Sequence, residues 1–373
     1  MVTLAANKEP TGQKALWLES LQVRDLRNIA RADLHLSPGL NVLFGRNAQG
    51  KTSLLEAVGL LARGRSFRTD ETYSLIRRGA RMLSARGVAV DDGRHTALQV
   101  ELAEGQRRLR LDDREVRPGL YYGHLDVVVY STDRLRAIRG SVRERRAFID
   151  RSAAALWPSY RRALRDFERV VAQRNGALEQ GVRGLEAWDE RFVELAAELR
   201  HRRESYVERL SQALEGGFAP SAERYEIALS CRAGTLEAHR AMLSEQLAER
   251  RTEELSARRC LVGPHRDRIA LRVDGEVLAA GASSGQARSL LLALTLASME
   301  VYRAELGTRP LALLDDLDSE LDEERAGEVC EEVSSRGQAL VTTTHPGWAS
   351  SLAEQGTLYE VSAGQVARSP GKA

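Results

Sequence analysis

From residue 16 to residue 130 the chain is broken into short apolar or alternating runs: LWLESLQV, ADLHL, LNVLF, RMLSARGVAV, TALQVELA, QRRLRLD and LDVVVY. Alternation with a period of two gives a strand one buried face, and Asp91-Asp92-Gly93, Glu104-Gly105 and Asp112-Asp113 supply turns between several runs. The main exception follows Thr52, where Leu54, Leu55, Val58, Leu60 and Leu61 return at helical spacing. The texture changes at Asp133. From Arg134 to about Gln180 helix formers dominate and Pro158 is the sole proline. Gly181-Val182-Arg183-Gly184 breaks the run, and a second helical stretch covers 185–214 with Phe192, Leu195, Ala196 and Leu199 on one face. Gly216-Gly217 and Pro220 end it, YEIALS (225–230) reads as a strand, and a third helical stretch covers 236–259. Long helices joined by short breaks predict an antiparallel helical arm on a head. Strands then return as RIALRV and EVLAAG around Asp274-Gly275, a hairpin. A long helix with Leu290, Leu291, Leu292, Leu294 and Leu296 follows, then the apolar strands PLALLDD and QALVTTTHP. Apolar strands alternating with helices predict a largely parallel α/β sheet.

The head is therefore discontinuous. Residues 1–135 with 301–373 are expected to form one lobe, a mixed strand-rich sheet plus α/β core. Residues 136–300 are expected to form a second lobe of helical arm, hairpin and long helix. At 373 residues, 43% hydrophobic and 29% charged, the composition is that of a soluble globular protein, and no apolar run is long enough to span a membrane. The first 14 residues lack the apolar core of a signal peptide and read as a mobile tail. Three scattered cysteines, Cys231, Cys260 and Cys330, point to a reducing compartment and away from a disulfide or metal framework. Net charge is only +2, so a polyanion partner must be argued from local patches. One such window is Arg134–Arg165, with ten arginines against Glu144 and Asp150. It suits phosphate contacts without base reading, or equally a solvated helix face with its own ion pairs.

Chemistry concentrates where residue choice is unusual. The chain has 51 arginines but only four lysines, Lys8, Lys14, Lys51 and Lys372. Lys51 closes Gly45-Arg46-Asn47-Ala48-Gln49-Gly50-Lys51-Thr52, which fits G-x-x-x-x-G-K-[ST] between a strand and a helix. The glycines let successive N–H groups face an anion, the helix N-terminus adds its dipole, and the thin ammonium reaches between phosphates where a planar guanidinium does not fit. Thr52 places a hydroxyl on Mg²⁺. Leu311-Ala312-Leu313-Leu314 delivers Asp315 and Asp316 at a strand tip, Asp315 to hold the metal and Asp316 to orient or deprotonate attacking water. Ser283-Ser284-Gly285-Gln286, after Ala282, opens the leucine-rich helix as a second anion-binding helix start or as an ordinary cap. His345 ends an apolar strand 30 residues after Asp315, where it could contact a terminal phosphate.

This order of P-loop, S-x-G-Q helix, strand with two acids, S-E-L-D and strand-end histidine resembles the ABC-type P-loop ATPase heads, and the helical insertion is similar to their SMC-like branch. More specific strings resemble the RecF family of bacterial recombination-repair proteins: Leu26-Arg27-Asn28, Gly64-Arg65-Ser66-Phe67-Arg68-Thr69, Gly140-Ser141, Arg145 to Asp150, Gln173-Arg174-Asn175, Gly263 to Asp267, Ser284-Gly285-Gln286 and Asp315 to Asp322. The resemblance implies ATP and Mg²⁺ as ligands, and an ATP-dependent homodimer. Ser283, Gly285 and Gln286 would then act on the nucleotide held by the partner's P-loop, with Asp322 as interface acid and His345 as γ-phosphate switch. It further implies double-stranded and gapped DNA, RecO- and RecR-like mediators and a RecA-type recombinase as partners, in the cytoplasm near the nucleoid, with no membrane. Three departures stand out. Asp316 replaces the glutamate of many ABC ATPases, Tyr130-Ser131-Thr132-Asp133 has no glutamine where one is expected, and Ser284 stands where many signatures have glycine. The rival readings are a transporter's nucleotide-binding subunit and an SMC-like structural ATPase.

Overall fold

The N-terminal alternation becomes two sheets with a helix between them. In order along the chain come β1 (Leu16–Leu26), β2 (Ile29–His35), β3 (Leu40–Phe44), α1 (Lys51–Arg63), β4 (Met82–Asp91), β5 (Arg94–Ala103), β6 (Gln106–Leu111), β7 (Arg114–Glu115), α2 (Pro118–Tyr121) and β8 (Val127–Tyr130). In this computed structural model the described residues are 16–369, apart from 70, 104, 183–184, 217–222, 279–282 and 318–320. The expected tail, Arg183-Gly184, Gly217 and Pro220, the end of EVLAAG, Ala282, and Asp318-Ser319-Glu320 lie outside them. The helical stretch comprises α3 (Arg136–Arg139), α4 (Val142–Leu156), α5 (Pro158–Glu179), α6 (Glu186–Gly216), β9 (Tyr225–Leu229), α7 (Leu236–Glu249), α8 (Arg251–Ala257), β10 (Ile269–Val273), β11 (Glu276–Val277) and α9 (Ser284–Leu306). The chain closes with β12 (Leu311–Leu314), α10 (Glu323–Arg336), β13 (Ala339–Thr343), α11 (Pro346–Ala353), β14 (Gly356–Ser362) and β15 (Gln365–Arg368). Contacts group the residues up to Ser131 with those from Tyr302 onward into one unit, and Thr132–Val301 into another.

In the first unit an antiparallel sheet runs β2-β1-β4-β5-β6-β7, and a second runs β15-β14-β3-β13-β12-β8, parallel except for its β14–β15 pair. A register shift between Leu18 and Ser20 changes the parity of β1. Leu16 and Leu18, then Leu21 and Val23, therefore all face the core, which an unbroken period of two forbids. α1 packs on β1, β4 and β5 and also on β13. Nearly all of its residues are buried, so it is apolar around most of its circumference. The closing hairpin β14–β15, turned by Ala363-Gly364 with positive φ at both, was not expected from the sequence.

In the second unit the expected helical run from Arg134 is cut twice. Ser141 forms a capping box, its hydroxyl accepting from Glu144 N (3.3 Å) while the Glu144 carboxylate accepts from Ser141 N (2.7 Å). Pro158 then restarts the helix after Trp157. The run expected over 236–259 is likewise broken at Arg250. α4 packs on α5 and α6, and α6 on α7, while β9 joins the expected hairpin in a sheet ordered β11-β10-β9.

This unit is held by buried charge as well as by apolar contact. Arg203, 2% exposed, donates to both Asp150 oxygens (2.9 and 3.0 Å), to Asp267 (3.4 Å) and to the Pro264 carbonyl (2.8 Å). Arg200 grips Asp267 at 2.7 and 3.0 Å, and the Tyr160 hydroxyl donates to Asp150. A second knot joins Arg174 to Glu254 (2.6 Å), Asp189 (2.8 Å) and the Cys260 thiol (3.2 Å). Removing one partner of such a pair strands a charge out of water, which costs far more than the pair itself contributes. We expect Arg203→Met to lower the unfolding free energy by about 3–5 kcal/mol in urea titration, against less than about 1 kcal/mol for the half-exposed Arg202→Met. Burial also pushes the His265 imidazole down to about 4. It is neutral in the fold, so between its unfolded value and about 4 the unfolded chain binds the extra proton. Stability should therefore fall by up to about 3 kcal/mol as pH drops through that window, and His265→Gln should flatten the dependence.

Candidate nucleotide site

The first unit builds this site at the C-terminal ends of β3, β12 and β13, which run parallel. β3 is buried up to Leu43, and the chain then winds tightly into α1. A Cβ on Gly45 would collide with the Val361 carbonyl, Gly50 has φ +116°, and Ala48 adopts φ +64°, a conformation rarely held without support. The support comes from two turns. Asn28, after β1, donates its amide to the Ala48 carbonyl (3.0 Å) and accepts from Ser53 Oγ (3.3 Å). At the β14–β15 turn, Gly364 N donates to the Gln49 carbonyl (3.1 Å) and Ala363 N to the Gln49 side chain (2.5 Å). Arg46 and Asn47 complete the loop, the Asn47 carbonyl accepting from Gln49 Nε2 (3.4 Å). Lys51 is 5% exposed, and its ammonium folds back over the loop to the carbonyls of Gly45 (2.7 Å) and Arg46 (3.1 Å).

The acids meet this loop from β12. Asp315 Oδ1 accepts from Thr52 Oγ1 and from Thr342 Oγ1, both at 2.9 Å, and Oδ2 accepts from Ser131 Oγ (3.4 Å). Asp316 sits at φ +51° with its N–H donating to Thr342 Oγ1 (2.8 Å). His345 follows β13, caps α11, donates its N–H to Thr343 Oγ1 (2.9 Å) and leaves its ring exposed. The structure thus gathers Lys51, Thr52, Asp315 and Asp316 and puts His345 at the same sheet edge. It adds Thr342, one residue before the end of β13, and Ser131, one residue after the end of β8; sequence reasoning named Ser131 only within the segment that lacks the expected glutamine and gave neither residue a role. Burial, and then the charge of Asp316, push the Asp315 carboxyl up to about 6. The Asp315 carboxylate and the Thr52 hydroxyl beside it offer two hard oxygen donors on one spot. That donor set fits Mg²⁺, which takes few protein ligands and keeps water and phosphate oxygens for the rest. No cluster of three or more acidic, histidine or cysteine side chains suited to a metal exists among the described residues.

Ser283, Gly285 and Gln286 lie at the start of α9 in the second unit. Ser283 Oγ accepts from Gln286 N (3.1 Å), Ser284 Oγ accepts from Arg139 (2.9 Å), and Gly285 faces open space. Asp322 caps α10 by accepting from Arg325 N (2.9 Å). The arginine window is more structural than a count of side-chain charges implies. Arg146 donates to the Asp267 carbonyl (2.7 Å), Arg145 to the Ile269 carbonyl (3.4 Å), Arg161 to the Ala154 carbonyl (3.1 Å), and Arg134 lies over the Phe148 ring. Arg136, Arg143, Arg162 and Arg165 are exposed, Arg165 with Asp166 beside it (3.4 Å).

Residues 17–366 match the model of the RecF/RecN/SMC N-terminal domain. The DNA replication and repair protein RecF of Symbiobacterium thermophilum is 38% identical over 345 residues, spanning 88% of this chain and 92% of that protein. The solved recombination mediator protein RecF-ATPrS of the RecFOR pathway superposes with a TM-score of 0.86 at 26% identity, over 96% of this chain and 99% of that one. Its RecF-ATP counterpart gives 0.84 at 26% identity, over 95% and 100%. Because Lys51 is buried and its narrow ammonium sits against two loop carbonyls, Lys51→Arg should weaken binding of a fluorescent nucleoside triphosphate at least about tenfold despite keeping the charge. Unchanged affinity would remove that explanation for the lysine.

Proposed function

The chain belongs to the RecF family, within the RecF/RecN/SMC group, and from that premise we propose that it is an ATP-dependent DNA-binding protein of recombinational repair. The observation that carries the reading is the convergence of Lys51 and Thr52, at the start of α1, with Asp315, 263 positions beyond Thr52, at one sheet edge. The P-loop amides and Lys51 hold the triphosphate. Thr52 and Asp315 hold Mg²⁺, which when bound offsets charge on the β- and γ-phosphates. Asp316 orients the attacking water and takes its proton as the oxygen–phosphorus bond to the leaving diphosphate breaks. Its arm is one methylene shorter than glutamate, which makes hydrolysis slow. His345 contacts the γ-phosphate and registers its loss.

Two copies complete the device. The helix start at Ser283, Gly285 and Gln286 of one copy compensates the γ-phosphate held by the other, with Asp322 at the interface, so ATP joins the pair and hydrolysis frees it. The pair closes on double-stranded DNA beside gaps through exposed arginines such as Arg136, Arg143 and Arg162, and DNA in turn speeds hydrolysis. RecO- and RecR-like mediators then place a RecA-type recombinase on the gap. RecF relatives match along nearly the whole chain, helical unit included, which the transporter alternative leaves without explanation. Light scattering with and without ATP tests the scheme: Ser283→Arg should keep ATP affinity within about twofold yet abolish pairing, whereas lost affinity would put that serine in its own copy's site.

A further inference from the structure

β14 runs parallel to β3 and pairs with it as far as Glu360, opposite Phe44. Both strands end at that level of the sheet. β3 gives way to the P-loop at Gly45, and β14 leads through the two-residue turn Ala363-Gly364 into β15. The fit between the two is close. A Cβ on Gly45 would collide with the Val361 carbonyl, and one on Gly364 would stand 2.5 Å from the carbonyl oxygen of Asn28. The P-loop, the turn at Asn28 and the tip of the hairpin therefore pack backbone against backbone.

A turn with positive φ at both central residues leaves the N–H groups of those residues outside the hairpin ladder, which here closes at Ser362 and Gln365. One P-loop residue accepts from both. Ala363 N donates to Gln49 Oε1 (2.5 Å), and Gly364 N donates to the Gln49 carbonyl (3.1 Å). The other end of the Gln49 amide donates to the Asn47 carbonyl (3.4 Å). Gln49 stands between Ala48, whose φ of +64° needs support, and Gly50 at +116°. A single side chain thus ties the hairpin tip to the stretch whose shape aims the loop N–H groups at an anion. Ala363 is exposed, so water can replace Gln49 as its acceptor at little cost to folding. What disappears with that side chain is restraint on the loop, which must then be reordered whenever a triphosphate binds.

We propose that the tip of the β14–β15 hairpin is a latch on the nucleotide loop, and that Gln49 is the positioning residue that fastens it. The proposal rests on the ATP reading above. With the latch closed the loop keeps its anion-binding shape. Coupling between two events is reciprocal, so a bound triphosphate in turn holds the latch shut. Occupancy of the site is thereby conveyed to β15, the largely exposed strand that ends this sheet.

Three measurements on the full chain test the latch: affinity for a fluorescent ATP analogue, melting temperature, and hydrogen exchange over 359–366 with and without ATP. Gln49→Ala should weaken binding about five- to tenfold while lowering the melting temperature by less than about 2 °C. Gly364→Ala drives the tip away from Asn28 and should weaken binding as far. The double variant should bind no worse than the weaker single variant, because both changes open one latch. In the wild type ATP should slow exchange at the Ala363 and Gly364 amides, and in Gln49→Ala it should not. A residue that serves the fold alone would lower the melting temperature and leave affinity unchanged. Full affinity in Gln49→Ala overturns the proposal, as does exchange at the wild-type tip that ignores ATP. A wild-type chain that binds no analogue sinks the ATP reading itself, whereas undiminished binding by both variants leaves that reading standing and removes only the latch.

Discussion

A carboxylate kept out of water at the tip of β12 sets the terms for the first unit. Asp315 is 4% exposed and draws hydroxyls from α1, from the end of β13 and from the end of β8. Thr52 is 263 positions away in the chain and Ser131 is 184, so no local structure can satisfy this group. Only a sheet ordered β3-β13-β12-β8, with all four strands pointing the same way, brings the three hydroxyls to one edge. The strand order and the chemistry are thus one requirement. The insertion of an entire second unit between β8 and β12 is tolerated because those strands are edge and neighbour in space whatever their separation in sequence.

Most of the strings that carried the family resemblance prove to be internal ties. Arg27 and Ser66 meet at Glu56, and Gly140-Ser141 starts a helix. Asp150 and Asp267 share Arg203, while Arg174-Asn175 anchors the loop at Cys260 through its side chains. A family can thus be recognised by how its interior charges are paired as readily as by the groups that face a ligand. In the second unit this matters more, because its helices carry arginines into the core and each must find its acid.

What the sequence disclosed, it disclosed through local rules. The P-loop was legible because only glycine tolerates the close backbone approach at Gly45 and because Lys51 stands out against a background of arginine. β12 and β13 were legible as apolar runs. The parity change in β1 was not, since a bulge is set by the neighbouring strand and leaves the composition unaltered. The breaks at Ser141 and Arg250 escaped because helix formers continue on both sides of them. The arginine window was only partly legible, because three of its ten guanidiniums, those of Arg145, Arg146 and Arg161, end on backbone carbonyls, acceptors that a tally of acids ignores. The pairing of Arg203 with Asp150, 53 residues apart, lies beyond any local rule.

The scarcity of lysine has a chemical corollary. Among the described residues Lys51 is the sole lysine, and it is buried in the P-loop. Every other fixed positive side chain there is a guanidinium, which acyl transfer does not neutralise and mild alkali does not discharge. The exposed cationic surface formed by the described residues is accordingly closed to acetylation as a means of turning its charge off. An amine-directed reagent would report on the nucleotide loop and the chain ends and leave the remaining surface unmarked.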